Sequence, residues 1–214
     1  MMALKIVLLI ILTFFLGYIL QLKPLEQSGN LTLIEKMVKL QLNDVNAYAF
    51  TLFSFMGVWP LVYACLMFVE ERMQPIPAWP SFLASNGSGV IGMMPYLLLR
   101  ESRPYFSGKK DWIIKLFDAR LTGIALLLST IGLIIYALYS GNFEEFIKQW
   151  QTSRFLYLMS LDFALLYLVF PILLGDDMAR RGWQDSRIFW AVAIVPLLGP
   201  LVYLSVRPPL PETE

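Results

Sequence analysis

Apolar residues in this chain gather in six long runs, 6–22, 47–69, 80–99, 121–139, 155–174 and 188–206, separated by short polar stretches. Bilayer hydrocarbon is about 30 Å thick and an α-helix rises about 1.5 Å per residue, so runs of roughly 17 to 25 apolar residues can cross it. The pattern predicts an all-α fold: a polytopic membrane helical bundle of about six transmembrane helices, forming one integral-membrane domain over 1–214. The third run is the weakest, because Ser81, Ser85, Asn86, Gly87, Ser88, Gly89, Gly92 and Pro95 interrupt it. It reads either as a span or as a broken, re-entrant segment, whose exposed backbone groups need protein or trapped water as partners.

Two connecting stretches carry the helical period instead. In 142–154, Phe143, Phe146, Ile147 and Trp150 fall on one stripe while Glu144, Glu145, Lys148 and Gln149 fall elsewhere; in 31–42, Ile34, Met37, Val38 and Gln41 recur one turn apart. Both are expected to be short amphipathic helices at the membrane interface or at the rim of the bundle. Lys5 ahead of the first run raises the alternative of a signal peptide, but no small-x-small cleavage site follows between Gly17 and Lys23, which favours a retained anchor. Asn30-Leu31-Thr32 matches a glycosylation acceptor, meaningful only in a secretory context. Pro60, Pro95, Pro171, Pro196 and Pro200 lie in or at the ends of the runs and permit kinks. Trp59-Pro60 and Phe170-Pro171 are each followed by a charged cluster, an echo that would fit two inverted three-helix units. A second echo, Pro60-Leu61-Val62-Tyr63 against Pro200-Leu201-Val202-Tyr203, pairs different runs, so chance similarity of apolar sequence is the favoured account of both.

Composition agrees with a membrane protein: 57% of the 214 residues are apolar, 14% aromatic and only 15% charged, against roughly 25% charged in soluble domains, with a mean hydropathy of +0.62. A net charge of +1 offers no field for nucleic acid, and no nucleic-acid-binding signature appears. The chain has no histidine, which removes bis-His haem, His-ligated zinc, copper and di-iron sites and any histidine base. Its one cysteine, Cys65, sits in an apolar run. No cofactor or metal site is expected. With six spans, the lysines and arginines divide 12 to 5 in favour of the side carrying loops 23–46, 100–120 and 175–187; with five, the division is 11 to 6. Either count places 100–120 and 175–187 on one positive, cytoplasm-like side. The six-span count, which is the one adopted, sets the N-terminus opposite them.

Asp176-Asp177-Met178-Ala179-Arg180-Arg181 invites comparison with diphosphate-binding motifs. A prenyl-transferring Asp-Asp-x-x-Asp needs an acid where Arg180 stands, and the phosphatidyl-transferring Asp-Gly-x-x-Ala-Arg fails in glycine and spacing. The spacing fits a helix end better. Asp176 with Arg180 and Asp177 with Arg181 make i,i+4 pairs, each worth about 0.2–0.5 kcal/mol, with Gly182 as the C-cap. Arg180 and Arg181 then remain candidates for contact with anionic lipid or a partner protein. Asp162, about eight residues into the fifth run, is costlier, since a mid-membrane carboxyl costs roughly 2.5–3.5 kcal/mol on insertion scales and faces protein or water. Depth counting brings Tyr63 and Asn86 to its level, predicting a polar cluster of Asp162, Asn86 and Tyr63 that serves as a structural clamp or as a proton or solute site.

Phe-Val-Glu-Glu-Arg (68–72), Met-Pro-Tyr-Leu-Leu-Leu-Arg (94–100) and Asp-Phe-Ala-Leu-Leu-Tyr-Leu-Val-Phe-Pro (162–171) resemble an uncharacterised family of cyanobacterial and plastid-type multi-pass membrane proteins. That resemblance implies a cyanobacterial plasma or thylakoid membrane and no known chemistry. The expected function is a non-enzymatic accessory or assembly factor of a larger membrane complex, possessing no cofactor and with the lipid bilayer as its solvent. The alternatives are a small-solute or proton-coupled transporter using Asp162 and, third, a membrane enzyme acting on lipid or isoprenoid.

Overall fold

The computed structural model describes residues 2–21 and 27–211, with side chains from Lys5 to Gln21 and from Thr32 onward. The cleavage-site stretch beyond Gln21 and the side chain of Asn30 lie outside the described residues. The chain is 79% helix, and no strand occurs among the described residues. The helices are α1 (Met2–Gln21), α2 (Gln27–Val38), α3 (Ala47–Glu70), α4 (Trp79–Ser88), α5 (Val90–Leu99), α6 (Trp112–Asp118), α7 (Arg120–Ser140), α8 (Phe143–Thr152), α9 (Arg154–Val169), α10 (Pro171–Arg180), α11 (Ser186–Ile194) and α12 (Leu198–Val206). Short polar residues start several of them. Asn46, Asp111, Asn142, Ser153 and Asp185 each accept a hydrogen bond from a backbone N–H in the first turn that follows, answering donors that a helix start leaves unpaired.

Three helices among the described residues are long and apolar enough to cross a membrane: Ala47–Met73, Arg120–Ser140 and Arg154–Arg180. The described apolar stretch of α1, Lys5–Gln21, is shorter. The expectation of about six spans is therefore corrected, and the reason lies in the third and sixth runs. Both double back. Residues 84 and 92 would stand about 12 Å apart along one helix, yet a Cβ on Gly92 would lie 2.4 Å from the carbonyl carbon of Ala84. In the sixth run a Cβ on Gly199 would lie 2.3 Å from the carbonyl oxygen of Val192. Each run is thus a hairpin of two half-length helices, α4–α5 turning at Gly89 and α11–α12 turning at Val195-Pro196-Leu197. Gly89 and Leu197 have positive φ, 55° and 58°, and Pro196 has no N–H with which to continue a helix.

Both hairpins open toward the same end of the bundle, where Arg100 after α5 meets Glu70 at the end of α3, and Arg207 after α12 meets Asp177 in α10. Residues 70 and 177, 92 and 199, 96 and 203, and 100 and 207 are each 107 positions apart and match in type: acid, glycine, tyrosine, arginine. Helix starts match too, at 47 and 154 and at 79 and 186. The chain is a tandem repeat of one unit, a long helix followed by a half-length hairpin, and α1 packs on α5 as α7 packs on α12. Two units of parallel sense replace the inverted arrangement, and of the first echo only the acids Glu70 and Asp177 fall on the repeat. Pro60 and Pro171 are not equivalents: Pro60 lies inside an unbroken α3, whereas Pro171 opens α10 after a turn at Phe170.

The core runs through both units around α3, whose second half is almost wholly buried, with Trp59, Tyr63, Phe170, Leu201 and Tyr203 at its centre. α7 is mostly exposed on its apolar surface, as a lipid-facing helix is. Lys5 in α1 borders the same cleft as Arg100 and Asp176, so the N-terminal end of α1 lies with 100–120 and 175–187 and not opposite them. The re-entrant hairpins cause that correction, because a hairpin returns the chain to the side it left. Cysteine labelling at Ser107, Ser186 and an N-terminal extension is expected to mark all three from one face, against a quiet background because Cys65 is buried. Labelling of Ser107 and Ser186 from opposite faces would refute the paired hairpins.

Candidate functional site

Two polar assemblies lie in this apolar molecule. At the open end of the hairpins, α3 and α5 bring together Glu70, Tyr96 and Arg100. The Glu70 carboxylate accepts from the Tyr96 hydroxyl at 2.9 Å, from Arg100 Nε at 2.7 Å and Nη2 at 2.8 Å, and from Arg180 Nη1 at 2.8 Å. The second unit repeats the set with Asp177, Tyr203 and Arg207. Asp177 Oδ2 accepts from the Tyr203 hydroxyl at 2.7 Å, from Arg207 Nη1 at 3.1 Å and from Arg181 Nε at 2.9 Å. Gln74 and Arg181, again 107 apart, each donate to the backbone carbonyl that follows the paired arginine, those of Glu101 and Pro208.

Cross-links join the units. Arg180 reaches from the second to Glu70 of the first, and Arg100 from the first to Asp176, which also accepts from the Ser102 hydroxyl at 2.7 Å. Arg181 Nη1 donates to Asp118 Oδ1 at 2.7 Å, and Lys110 Nζ to Asp118 Oδ2 at 2.9 Å. Arg207 also donates to the carbonyls of Cys65 and Phe117. Burial alone would raise the pKa of Asp118, but Arg181, Lys110 and Arg207 hold it below the usual carboxylate range. A depressed carboxylate stabilises the fold above its unfolded pKa, and that contribution fades as pH falls through the lowered folded value.

Arg180 and Arg181 are therefore not contacts for lipid or a partner: their side chains are wholly buried, held by Glu70, Asp118 and Asp177. Of the two expected local pairs, Asp177 with Arg181 forms, whereas Asp176 and Arg180 turn to other helices. Gly182, with φ +69°, does end the helix: its N–H donates to the Ala179 carbonyl and that of Trp183 to Met178, the pattern of a glycine-terminated helix. Tyr96, Arg100, Tyr203, Arg207 and Asp118 were invisible to motif spacing. The 107-residue interval is the sequence signal for the two tyrosines and two arginines; Asp118 has no counterpart at that interval.

The second assembly surrounds Asp162. Its Oδ1 accepts from the backbone N–H of Val90, the first residue of α5, at 2.8 Å. A Cβ on Gly89 would fall 1.5 Å from Oδ2, so the carboxylate lies directly on the hairpin tip. α9 thus caps a helix in another part of the chain, with negative charge at the positive end of the α5 dipole. The predicted cluster of Asp162, Asn86 and Tyr63 is not formed. Tyr63 donates to the Leu166 carbonyl at 2.6 Å and Asn86 to the Phe82 carbonyl of its own helix at 2.7 Å. Depth counting brought Asn86 to the right level, since it and Asp162 border one cavity of about 260 Å³. It missed that the helix ends there, so that an unpaired backbone N–H, and not a side chain, is the strongest partner available.

Compared with protein-family models, curated proteins and solved structures, the chain matches none.

Proposed function

We propose that this protein is a non-enzymatic membrane component that supports a larger membrane assembly. The observation that supports this reading is the closed state of the charged cluster. Glu70, Asp118, Asp176 and Asp177 each accept from guanidinium, ammonium or hydroxyl donors of this chain, so their charge is committed to joining the two units and not held ready for proton transfer. Apolar side chains on α7, among them Leu121, Leu128 and Leu138, remain exposed and suit lipid or the helices of a partner. The resemblance of 68–72, 94–100 and 162–171 would make that assembly one of a cyanobacterial or thylakoid membrane. Purification of the tagged full chain from native membranes in mild detergent is expected to bring down a stable set of membrane proteins in fixed proportion. A chain that purifies alone, from membranes in which known complexes survive the detergent, would overturn the reading.

A second reading, solute or proton transport, draws on a separate observation: Asp162 and the tip of a half-length hairpin border the same cavity within the bundle. Half-helices that end inside a membrane present backbone groups to ions and solutes. Flux in proteoliposomes that is abolished by Asp162→Asn would establish this reading in place of the first.

A further inference from the structure

On the outer side of the bundle, α1 stands away from the second long helix, α9–α10, and leaves a trough. Near the charged end it is a cleft of about 550 Å³ walled by Leu8 and Ile172 and headed by Lys5, Arg100, Ser102 and Asp176. Farther along it is a hollow of about 590 Å³ between Phe14 and Leu165. Ile11 and Leu168 line both, so the two are continuous. The Tyr18 hydroxyl donates to that of Tyr157 at 3.0 Å and closes the far end. Between Lys5 and Tyr18, α1 advances about 20 Å. The tandem repeat makes this opening unexpected. The equivalent pair in the other unit, α3 with α7, is packed together, whereas α1 touches α9 mainly through Tyr18 and the Arg154 bond to the Ile19 carbonyl.

The chemistry of the head is asymmetric. Asp176 is already matched by Arg100 and Ser102, and Arg100 also by Glu70. Lys5 forms no ion pair or hydrogen bond among the described residues, which leaves the mouth with one uncompensated positive charge above an apolar channel. A partner helix laid in the trough would bury that ammonium against hydrocarbon, a costly arrangement. An anionic headgroup at the interface would pair it while an attached chain filled the channel below.

We propose that the trough holds one anionic phospholipid, its phosphate on Lys5 and one acyl chain along the wall between α1 and α9–α10. The full-length chain, reconstituted in phosphatidylcholine vesicles doped with phosphatidylglycerol and extracted in mild detergent, is then examined by native mass spectrometry. One phosphatidylglycerol per chain is expected to stay bound. Lys5→Glu should lower that retention about tenfold and Lys5→Arg should preserve it, because basic residues at the interface attract anionic lipid by charge. Leu168→Trp, at a side chain exposed on the trough wall, should displace the lipid with unchanged thermal unfolding, which separates loss of the site from loss of the fold. Equal retention by Lys5→Glu, retention of phosphatidylcholine in place of phosphatidylglycerol, or no retained lipid would each overturn the proposal.

Discussion

Asp177→Leu is expected to destabilise the protein by about 3–5 kcal/mol, while Asp176→Asn, at the adjacent position, should cost about 1 kcal/mol or less. Asp177 is completely buried and accepts from Arg181, Arg207 and Tyr203 together. Removing it leaves the Tyr203 hydroxyl and Arg181 Nε without an acceptor and takes from Arg207 its carboxylate, so that this buried guanidinium keeps only the carbonyls of Cys65 and Phe117, and an uncompensated buried charge is among the most damaging single changes. Asp176 keeps some contact with solvent, and an amide at that position still accepts from Ser102. Glu70→Leu should match Asp177→Leu, because Glu70 is the equivalent acid of the first unit and carries Arg100, Arg180 and Tyr96. The measurement is the thermal unfolding midpoint of purified protein in one detergent, together with abundance in the membrane. Comparable midpoints for Asp177→Leu and the parent would mean that the cluster is far wetter than its geometry indicates.

Gly89→Ala should be nearly as damaging, about 3 kcal/mol. At φ 55° and ψ −128° the backbone is in a region open to glycine and strained for other residues, costing about 1–3 kcal/mol by itself. The added methyl would also fall on the Asp162 carboxylate, push it off the Val90 N–H and uncap α5. Asp162→Asn retains an acceptor for that N–H and should leave the unfolding midpoint almost unchanged. Asp162→Leu strands the N–H and should cost about 1–3 kcal/mol. A Gly89→Ala protein as stable as the parent would show that the hairpin tip is mobile and that Asp162 does not hold it.

The long helices were legible because length and composition suffice for them: the runs 47–69, 121–139 and 155–174 correspond to α3, α7 and α9 with the start of α10. The hairpins were not equally so. An apolar run of twenty residues has the same composition whether it crosses a bilayer or turns back halfway. In 80–99 the Ser-Asn-Gly-Ser-Gly stretch disclosed the break; in 188–206 only Pro196 and Pro200 marked it, and prolines also occur in spans that continue, as Pro60 does. The charged cluster was misread for a different reason. Asp177 and Arg181 form a satisfying local pair, which hides the fact that Arg180, Arg181 and Asp176 answer to Glu70, Asp118 and Arg100 in distant parts of the chain. Asp162 was recognised as needing a partner because its burial is costly. Its partner was a main-chain N–H, which no residue type announces.

The 107-residue interval gives the molecule a further property. Two half-length chains that met through such a surface would form a symmetric pair whose survival depended on their concentration. Joined end to end, the halves meet at a fixed effective concentration and are released from having to stay alike. The sequence records that freedom: where the second half has Asp162 the first has Phe55, and where the second has Ser153 to begin its long helix the first has Asn46. The covalent link thus turns what symmetry would have duplicated into a single asymmetric feature, one carboxylate beneath one of two otherwise similar hairpins.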